Sequence, residues 1–160
     1  LLYFFRPRHE ELIKEVRSTG ARIKLIPDGD VSAVIATSFE NSGVDIYMGT
    51  GGSPEGVLAA AALRCIGGKM YGKLIFNNQE EKDRARSMGI NDLKKIYTTN
   101  ELASGDVMFS ATGVTDGTLL KGVLVKDDIA TTQSVVMRSK SKTLRYVDAI
   151  HNIKVKNIIT

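Results

Sequence analysis

The feature that most restricts the fold is a glycine-rich turn that leads directly into an alanine-rich helix, GTGGSPEGVLAAAALRC at residues 49–65. A short run rich in β-branched and aromatic residues, VDIYM at residues 44–48, precedes the turn and is typical of a strand. Gly67 and Gly68 mark the end of the helix, since glycine is favoured just past a helix C-terminus. The segment therefore predicts a strand, a tight turn and a helix over 54–66, the unit from which α/β domains are built.

The same alternation occurs twice before this unit. LLYFF at residues 1–5 and RIKLIP at residues 22–27 are typical of strands, and a helical pattern follows each of them. Later in the chain, the sequence predicts a polar helix, a strand and then consecutive antiparallel strands, at residues 77–89, 107–113, 123–127, 129–139 and 143–153. We therefore expect one domain over residues 1–160 with an α/β fold, in which helices flank a mixed sheet.

Composition excludes several classes of function. No apolar run approaches the roughly 20 residues that cross a bilayer, so we expect no membrane partner. The net charge is a mild +4, without interleaved basic and aromatic residues, so we expect no nucleic-acid partner. Cys65 is the single cysteine and indicates a reducing, cytoplasmic setting. We expect it to pack as a small apolar residue, with a nucleophilic role as the alternative.

Polar residues and glycines follow each of the first three predicted strands, and the candidate site residues among them are Arg6, Pro7, Arg8, Asp28, Gly29, Asp30, Gly52 and Glu55. If these strands are parallel, the three loops open at the same edge of the sheet. The planar guanidinium group of arginine can donate two hydrogen bonds to phosphate oxygens, and aspartates accept hydrogen bonds from sugar hydroxyls. Glycines bring backbone amides close to an anionic ligand, and a glutamate is an oxygen ligand for Mg²⁺ or Mn²⁺.

Each of these residues also has a structural interpretation. Arg6 and Arg8 suit a solvated first helical turn, and Asp28 and Asp30 suit turn and helix-capping positions. Glu55 suits the positive end of a helix dipole. The structural interpretations do not require consecutive loops to gather complementary charges, whereas a site for a phosphorylated sugar does.

Two familiar motifs are absent. The glycine loop lacks the Gly-Lys-Ser/Thr of a P-loop, and Pro54 stands where a dinucleotide fingerprint needs its third glycine, which disfavours a nucleotide-binding domain. A zinc site of the histidine and cysteine type is excluded, because only His9, His151 and Cys65 are present. We expect His9 to be a surface helix residue and His151 to be structural.

The chain resembles class II fructose-1,6-bisphosphatases over roughly residues 6–152, in RPRHEELIKEVRSTGARIKLIPDGDVSAVIAT, VDIYMGTGGSPEGVLAAAALRCIGGKMYGKL, SATGVTDGTLLKGV and MRSKSKTLRYVDAIHNI. The resemblance implies the C-terminal half of a metal-dependent sugar phosphatase of the lithium-sensitive phosphatase superfamily. Such enzymes remove the 1-phosphate of fructose 1,6-bisphosphate in gluconeogenesis by direct attack of water, and some relatives also accept sedoheptulose 1,7-bisphosphate.

The resemblance also implies roles for the strand-end residues. Arg6, Pro7 and Arg8 would lie in the substrate-binding segment, Asp28, Gly29 and Asp30 would hold the sugar, Gly52 would contact substrate through its backbone, and Glu55 would bind Mn²⁺ or Mg²⁺. We expect the full-length form to be a homo-oligomer.

Departures from the family pattern limit what this chain does alone. The family's N-terminal half carries the other metal-binding carboxylates and an Asp-x-x-Asp-Gly-Thr motif, and this half is absent here. The Asp-Gly-Thr at residues 116–118 follows Gly113 instead of an acid, so we interpret it as a turn. The LLYFF start, with Phe5 where the family has an aspartate, and the KVKNIIT tail also diverge. We expect no catalytic residue in this chain and little hydrolysis by it; the alternative is a non-catalytic sugar-phosphate-binding module.

A basic segment, MRSKSKTLR at residues 137–145, places Arg138, Lys140 and Lys142 on one face of a predicted strand. We expect a solvated edge protected by charge. A phosphate-binding surface or a partner-domain surface is the alternative.

Overall fold

The computed structural model of the chain describes residues 2–4 and 7–156. The strands are β1 (Leu2–Phe4), β2 (Lys24–Ile26), β3 (Tyr47–Met48), β4 (Tyr71–Lys73), β5 (Ile96–Thr98), β6 (Met108–Thr112), β7 (Leu124–Lys126), β8 (Ile129–Arg138) and β9 (Thr143–Asn152). The helices are α1 (Glu10–Ser18), α2 (Asp30–Ala36), α3 (Ser53–Ile66), α4 (Gln79–Ser87), α5 (Thr99–Leu102) and α6 (Ile153–Lys156), with 3₁₀ turns at Pro7–His9 and Glu40–Ser42. No helix within these ranges is both long enough and apolar enough to cross a bilayer.

The first three strands form a parallel sheet with β1 in the middle, and the backbone of Tyr3 pairs with Leu25 on one side and with Met48 on the other. Helix α1 connects β1 to β2, and α2 connects β2 to β3. The condition that these three strands are parallel is therefore met. Because parallel strands end at the same edge of a sheet, the loops that follow these three strands lie side by side.

The later strands are antiparallel, as predicted. Strand β9 pairs along the whole of β8, whereas the opposite edge of β8 is shared by β7 near its start and by β6 near its end. Strands β4 and β5 form a separate antiparallel pair. The α/β fold class is confirmed, and within the described residues its parallel and antiparallel strands lie in three sheets instead of one.

Helix α3 is the centre of the core. Its alanines let neighbouring elements approach closely, so it packs against α2 and also against the sheet of β6 and β8. One cluster of buried side chains contains Ile35, Ala62, Cys65, Phe109, Leu120, Val135 and Met137, and a second contains Val34, Ala59 and Leu63. The helix ends as predicted at Gly67, whose φ of 91° is in the left-handed region that glycine adopts without strain.

The prediction that Asp28 or Asp30 caps α2 is wrong. The capping position is occupied by Gly29, with a φ of 89°, and no side chain bonds the helix start. The Gly29 carbonyl oxygen instead accepts the Ala33 N–H at 2.9 Å. A left-handed glycine thus turns the chain into the helix, which makes Asp30 the first helical residue and leaves its carboxylate available for other contacts.

The prediction that Arg138, Lys140 and Lys142 share one face of a strand is also wrong. Strand β8 ends at Arg138, which pairs with Thr143 at the start of β9, so the residues between them form the hairpin turn. Lys142 adopts a φ of 52° in this turn. Residues 139–142 contain no glycine or asparagine to mark the reversal, and the regular spacing of the basic residues suggested a shared strand face instead.

Candidate functional site

The loops after β1 and β3 are held together by two neighbouring residues of the first loop. The Arg8 guanidinium donates from Nε and Nη2 to the Thr50 carbonyl oxygen, at 2.9 and 2.6 Å. The Thr50 N–H donates to His9 Nε2 at 2.9 Å. Both backbone groups of a single residue in the glycine loop are therefore fixed by side chains that lie more than forty positions earlier.

His9 is not the surface residue that the sequence predicted. Its side chain is only 1% exposed, and it ends the 3₁₀ turn that precedes α1. Since Nε2 accepts a hydrogen bond, a neutral imidazole at this position carries its proton on Nδ1. The helical pattern alone could not identify this role, because the burial of His9 depends on a loop that is distant in the sequence.

The loop after β2 also reaches the glycine loop. A methyl group built on Gly51 would lie 3.3 Å from Asp30 Oδ2, so the absence of a side chain at this position lets the carboxylate approach the backbone. Asp28 is bonded within its own loop, where its Oδ1 accepts the Gly29 N–H at 2.8 Å. Among the sequence-predicted residues, Asp30 therefore meets the glycine loop, while Asp28 shapes the turn beside it.

Tyr47 is a residue of this region that sequence reasoning missed. Burial and the nearby charge of Asp30 raise its pKa to about 12, while the charge of Arg8 acts in the opposite direction. Its hydroxyl oxygen lies 3.2 Å from a methyl group built on Gly49. The phenol therefore lies against the glycine loop and within electrostatic reach of Arg8 and Asp30 from the other two loops. Its position in the last predicted strand before the glycine turn was the only signal available in the sequence.

Glu55 lies in the first turn of α3, and its carboxylate folds back over the glycine loop. A methyl group built on Gly52 would lie 2.1 Å from Glu55 Oε2, so any side chain at position 52 would displace the carboxylate. Gly52 itself has an ordinary φ of −67°, which means that close approach, not backbone conformation, requires glycine here. Glu55 is exposed, and its carboxylate is accessible from the rim of the loops.

The residues present do not complete a metal centre. The described part of the chain contains no group of three or more histidine, cysteine, aspartate or glutamate side chains arranged to hold a metal ion. Mg²⁺ prefers about six oxygen ligands in near-octahedral geometry, and Glu55 offers one carboxylate. Further ligands from outside these residues are required for tight binding.

The remaining sequence-predicted residues have simple placements. Pro7 begins the 3₁₀ turn that carries Arg8, whereas Arg6 lies outside the described residues. Asp116 belongs to a loop, as expected, and its Oδ1 accepts the Gly122 N–H at 2.9 Å. Cys65 is fully buried in the core, and burial raises the pKa of its thiol, which agrees with the apolar packing role that we expected.

Comparison with known proteins identifies a family and several relatives. The family model "Bacterial fructose-1,6-bisphosphatase, glpX-encoded" matches residues 3–151. Proteins named D-fructose 1,6-bisphosphatase class 2/sedoheptulose 1,7-bisphosphatase are 48% identical in Crocosphaera subtropica, 45% in Trichodesmium erythraeum and 46% in Synechococcus elongatus. Each match covers 91% of this chain and 46% of the relative, so the chain spans about half the length of these relatives.

Proposed function

The chain belongs to the bacterial, glpX-encoded fructose-1,6-bisphosphatase family, and from this membership we propose that it forms the substrate-binding half of a sugar bisphosphatase. The reaction is the hydrolysis of the 1-phosphate of fructose 1,6-bisphosphate, a step of gluconeogenesis. The names of the relatives support sedoheptulose 1,7-bisphosphate as a second substrate. We place the full-length enzyme in the cytoplasm as a homo-oligomer.

The observation that carries this proposal is the meeting of the three strand-end loops. Arg8 and Asp30 both approach the glycine loop, at Thr50 and Gly51, so a cation and a carboxylate stand at the same edge of the parallel sheet. A doubly phosphorylated ketose needs both kinds of group, because its phosphates attract guanidinium donors and its hydroxyls donate to carboxylates.

Each residue has a proposed role in holding the substrate. Arg8 Nη1 makes no hydrogen bond within the described residues, so it remains available for a phosphate oxygen. Asp28 and Asp30, joined by Gly29, accept hydrogen bonds from sugar hydroxyls. Gly52 contacts substrate through its backbone, and Arg6 and Pro7 complete the segment beside Arg8.

Glu55 is the proposed metal ligand of this half, with Mn²⁺ or Mg²⁺ as the ion. Its carboxylate is exposed beside the glycine loop, where a cation would lie next to a bound phosphate. A divalent cation at such a site activates water and neutralises charge on the phosphoryl group. Because the described residues lack a complete ligand set, we propose that the isolated chain binds metal weakly and hydrolyses little or no substrate.

The experiment that tests this proposal joins the chain to the half of the Crocosphaera relative that it does not cover. We expect phosphate release from fructose 1,6-bisphosphate in the presence of Mn²⁺ or Mg²⁺ by the joined protein but not by the isolated chain. Glu55→Gln should abolish this release, whereas Glu40→Gln, at another exposed helix-start glutamate, should not. Full activity of the Glu55→Gln protein would refute the assignment of the metal ligand.

A second candidate function is a non-catalytic module that binds sugar phosphates. The incomplete metal centre within the described residues favours it. In that case the isolated chain would bind fructose 1,6-bisphosphate in a calorimetric titration, with Asp30→Asn weakening the binding. The protein joined to the relative's half would release no phosphate, which separates the two functions.

A further inference from the structure

A cavity of about 330 Å³ opens at the opposite end of α3 from the glycine loop. Its wall is built from the last turn of α3, from the segment that leads into β4, from the start of α5 and from the β8–β9 hairpin. Because α3 has 14 residues and a helix rises 1.5 Å per residue, roughly 20 Å separate this cavity from the start of the helix. The cavity is therefore distinct from the strand-end loops, and its volume is in the range of small-molecule sites.

The charged residues that line this cavity are all cations. Arg64, Lys69 and Lys142 contribute to the wall, and none of the described aspartates or glutamates does. Glu101, a residue of α5, accepts hydrogen bonds from the Thr98 backbone and hydroxyl and forms an ion pair with Lys95, so its charge is already matched outside the cavity. Asp45 lines an adjoining cleft together with Lys69, so the wall of the cavity keeps an excess of positive charge, which attracts an anion.

Two of the cations are held in place by the fold. Lys142 Nζ donates to the Arg64 carbonyl oxygen at 2.6 Å, and the Arg64 guanidinium donates to the Ala103 carbonyl oxygen. Lys142 adopts its position from a backbone with a φ of 52°, a left-handed conformation that is unfavourable for a residue with a side chain. Positioning of charges before a ligand arrives lowers the entropic cost of binding.

A purely structural explanation accounts for only part of this arrangement. Cations at a helix C-terminus stabilise the negative end of its dipole, which is equivalent to about half an elementary charge. The bond from Lys142 to the last turn of α3 provides this stabilisation. Arg64 and Lys69 bring further positive charge to the same cavity, and more charge is present than the dipole requires.

Two side chains of the cavity wall carry hydrogen-bond donors that have no partner within the described residues. The Tyr71 side chain is 70% exposed, and neither it nor the Asn100 amide forms a side-chain hydrogen bond within the described residues. A phosphate oxygen accepts hydrogen bonds from ammonium, guanidinium, amide and phenol groups. We propose that this cavity is a second anion site of the chain and that it takes a phosphate group, either as orthophosphate or as part of a small phosphate monoester.

The test is a titration of the isotopically labelled chain, followed by backbone amide NMR, with orthophosphate in one arm and glucose 6-phosphate in the other. We expect saturable shifts at Gly67, Gly68 and Asn100. A larger affinity for orthophosphate would identify the free ion as the ligand, and a larger affinity for the sugar phosphate would identify a monoester; either result supports the site.

Matched variants separate a site from general attraction to a basic chain. Lys69→Gln should weaken binding at least fivefold, and it disturbs no hydrogen bond, since Lys69 is exposed without a side-chain partner in the described residues. Lys142→Gln should weaken binding as well. Lys140→Gln removes the same charge from the same hairpin but outside the cavity wall, and it should leave the affinity unchanged. The proposal is overturned if Lys140→Gln and Lys69→Gln weaken phosphate binding equally. It is also overturned if the amide shifts are confined to residues 28–30 and 49–52.

Discussion

The bond between His9 and the glycine loop offers a direct test of how the site is assembled. His9→Phe keeps a ring in this buried position but removes the nitrogen that accepts the Thr50 N–H. His9→Gln is the matched variant, since its amide oxygen can accept the same hydrogen bond. We expect His9→Phe to lower stability and to loosen the glycine loop, and His9→Gln to recover part of both effects.

The expected magnitude follows from the geometry of this bond. Removing one partner of a hydrogen bond costs about 1 kcal/mol, and up to about 3 kcal/mol when the remaining group stays shielded from water. Thr50 is exposed and its bond to His9 is only partly buried, so a value toward the lower end of this range is expected. For a chain of this length, about 1 kcal/mol corresponds to a decrease in Tm of about 2–4 °C. The same free energy corresponds to about fivefold faster exchange of the Thr50 amide if that bond controls its opening.

Two measurements check this prediction. Thermal unfolding gives the change in Tm, and amide hydrogen exchange followed by NMR gives the protection of Thr50 itself. Arg8→Lys serves as a second comparison, because it removes the paired donation to the Thr50 carbonyl oxygen and leaves the His9 bond intact. If His9→Phe changes neither the Tm nor the exchange rate at Thr50, the side chain does not hold the loop and the reasoning is refuted.

Two further predictions concern single residues. Tyr47 holds its proton more tightly in the folded chain, so its contribution to stability is complete below the ordinary tyrosine pKa of about 10 and is lost as the pH rises through about 12. Ultraviolet titration of the phenolate should show a late component that is missing in Tyr47→Phe and shifted to lower pH in Asp30→Asn. Gly113→Ala should destabilise the chain by about 1–3 kcal/mol in urea unfolding, because its methyl group would lie 2.0 Å from the Lys121 carbonyl oxygen. Gly72→Ala is the control and should not destabilise the chain, since the nearest atom to its methyl group would lie at 3.5 Å. Equal effects of the two substitutions would contradict this explanation.

The order of strands and helices around the candidate site was predictable because local patterns determine it. Alternating apolar runs, the turn glycines and the alanine-rich helix each act within a few residues. Parallel pairing of the strands was a condition of the argument, and the structure shows it. The identity of the three loops followed in turn, since ligand-facing loops in such sheets lie at strand ends. Whether Arg8, Asp30 and Glu55 carry the proposed roles is left to the experiments above.

Features that depend on distant contacts were not predictable. The burial of His9 is created by the loop around Thr50, and the raised pKa of Tyr47 is created by burial and by Asp30 on another loop. The short strands β4 and β5 were missed, because each has only three residues and their pairing joins segments more than twenty positions apart. Periodicity carries no information of this kind, so only the folded chain reveals these contacts.

The packing of α3 explains why an alanine-rich helix follows the glycine loop. Glu55, Ala59 and Leu63 are spaced four residues apart and therefore share one face of the helix. Ala59 and Leu63 are buried against Val34 of α2, so the core fixes the rotation of the helix about its axis. The Cα–Cβ direction of Glu55 is thereby set as well, and its carboxylate lies against Gly52 of the glycine loop. Small residues on α3 serve the site because they allow the close packing that sets this rotation, and from it the exposed Glu55 side chain reaches the glycine loop.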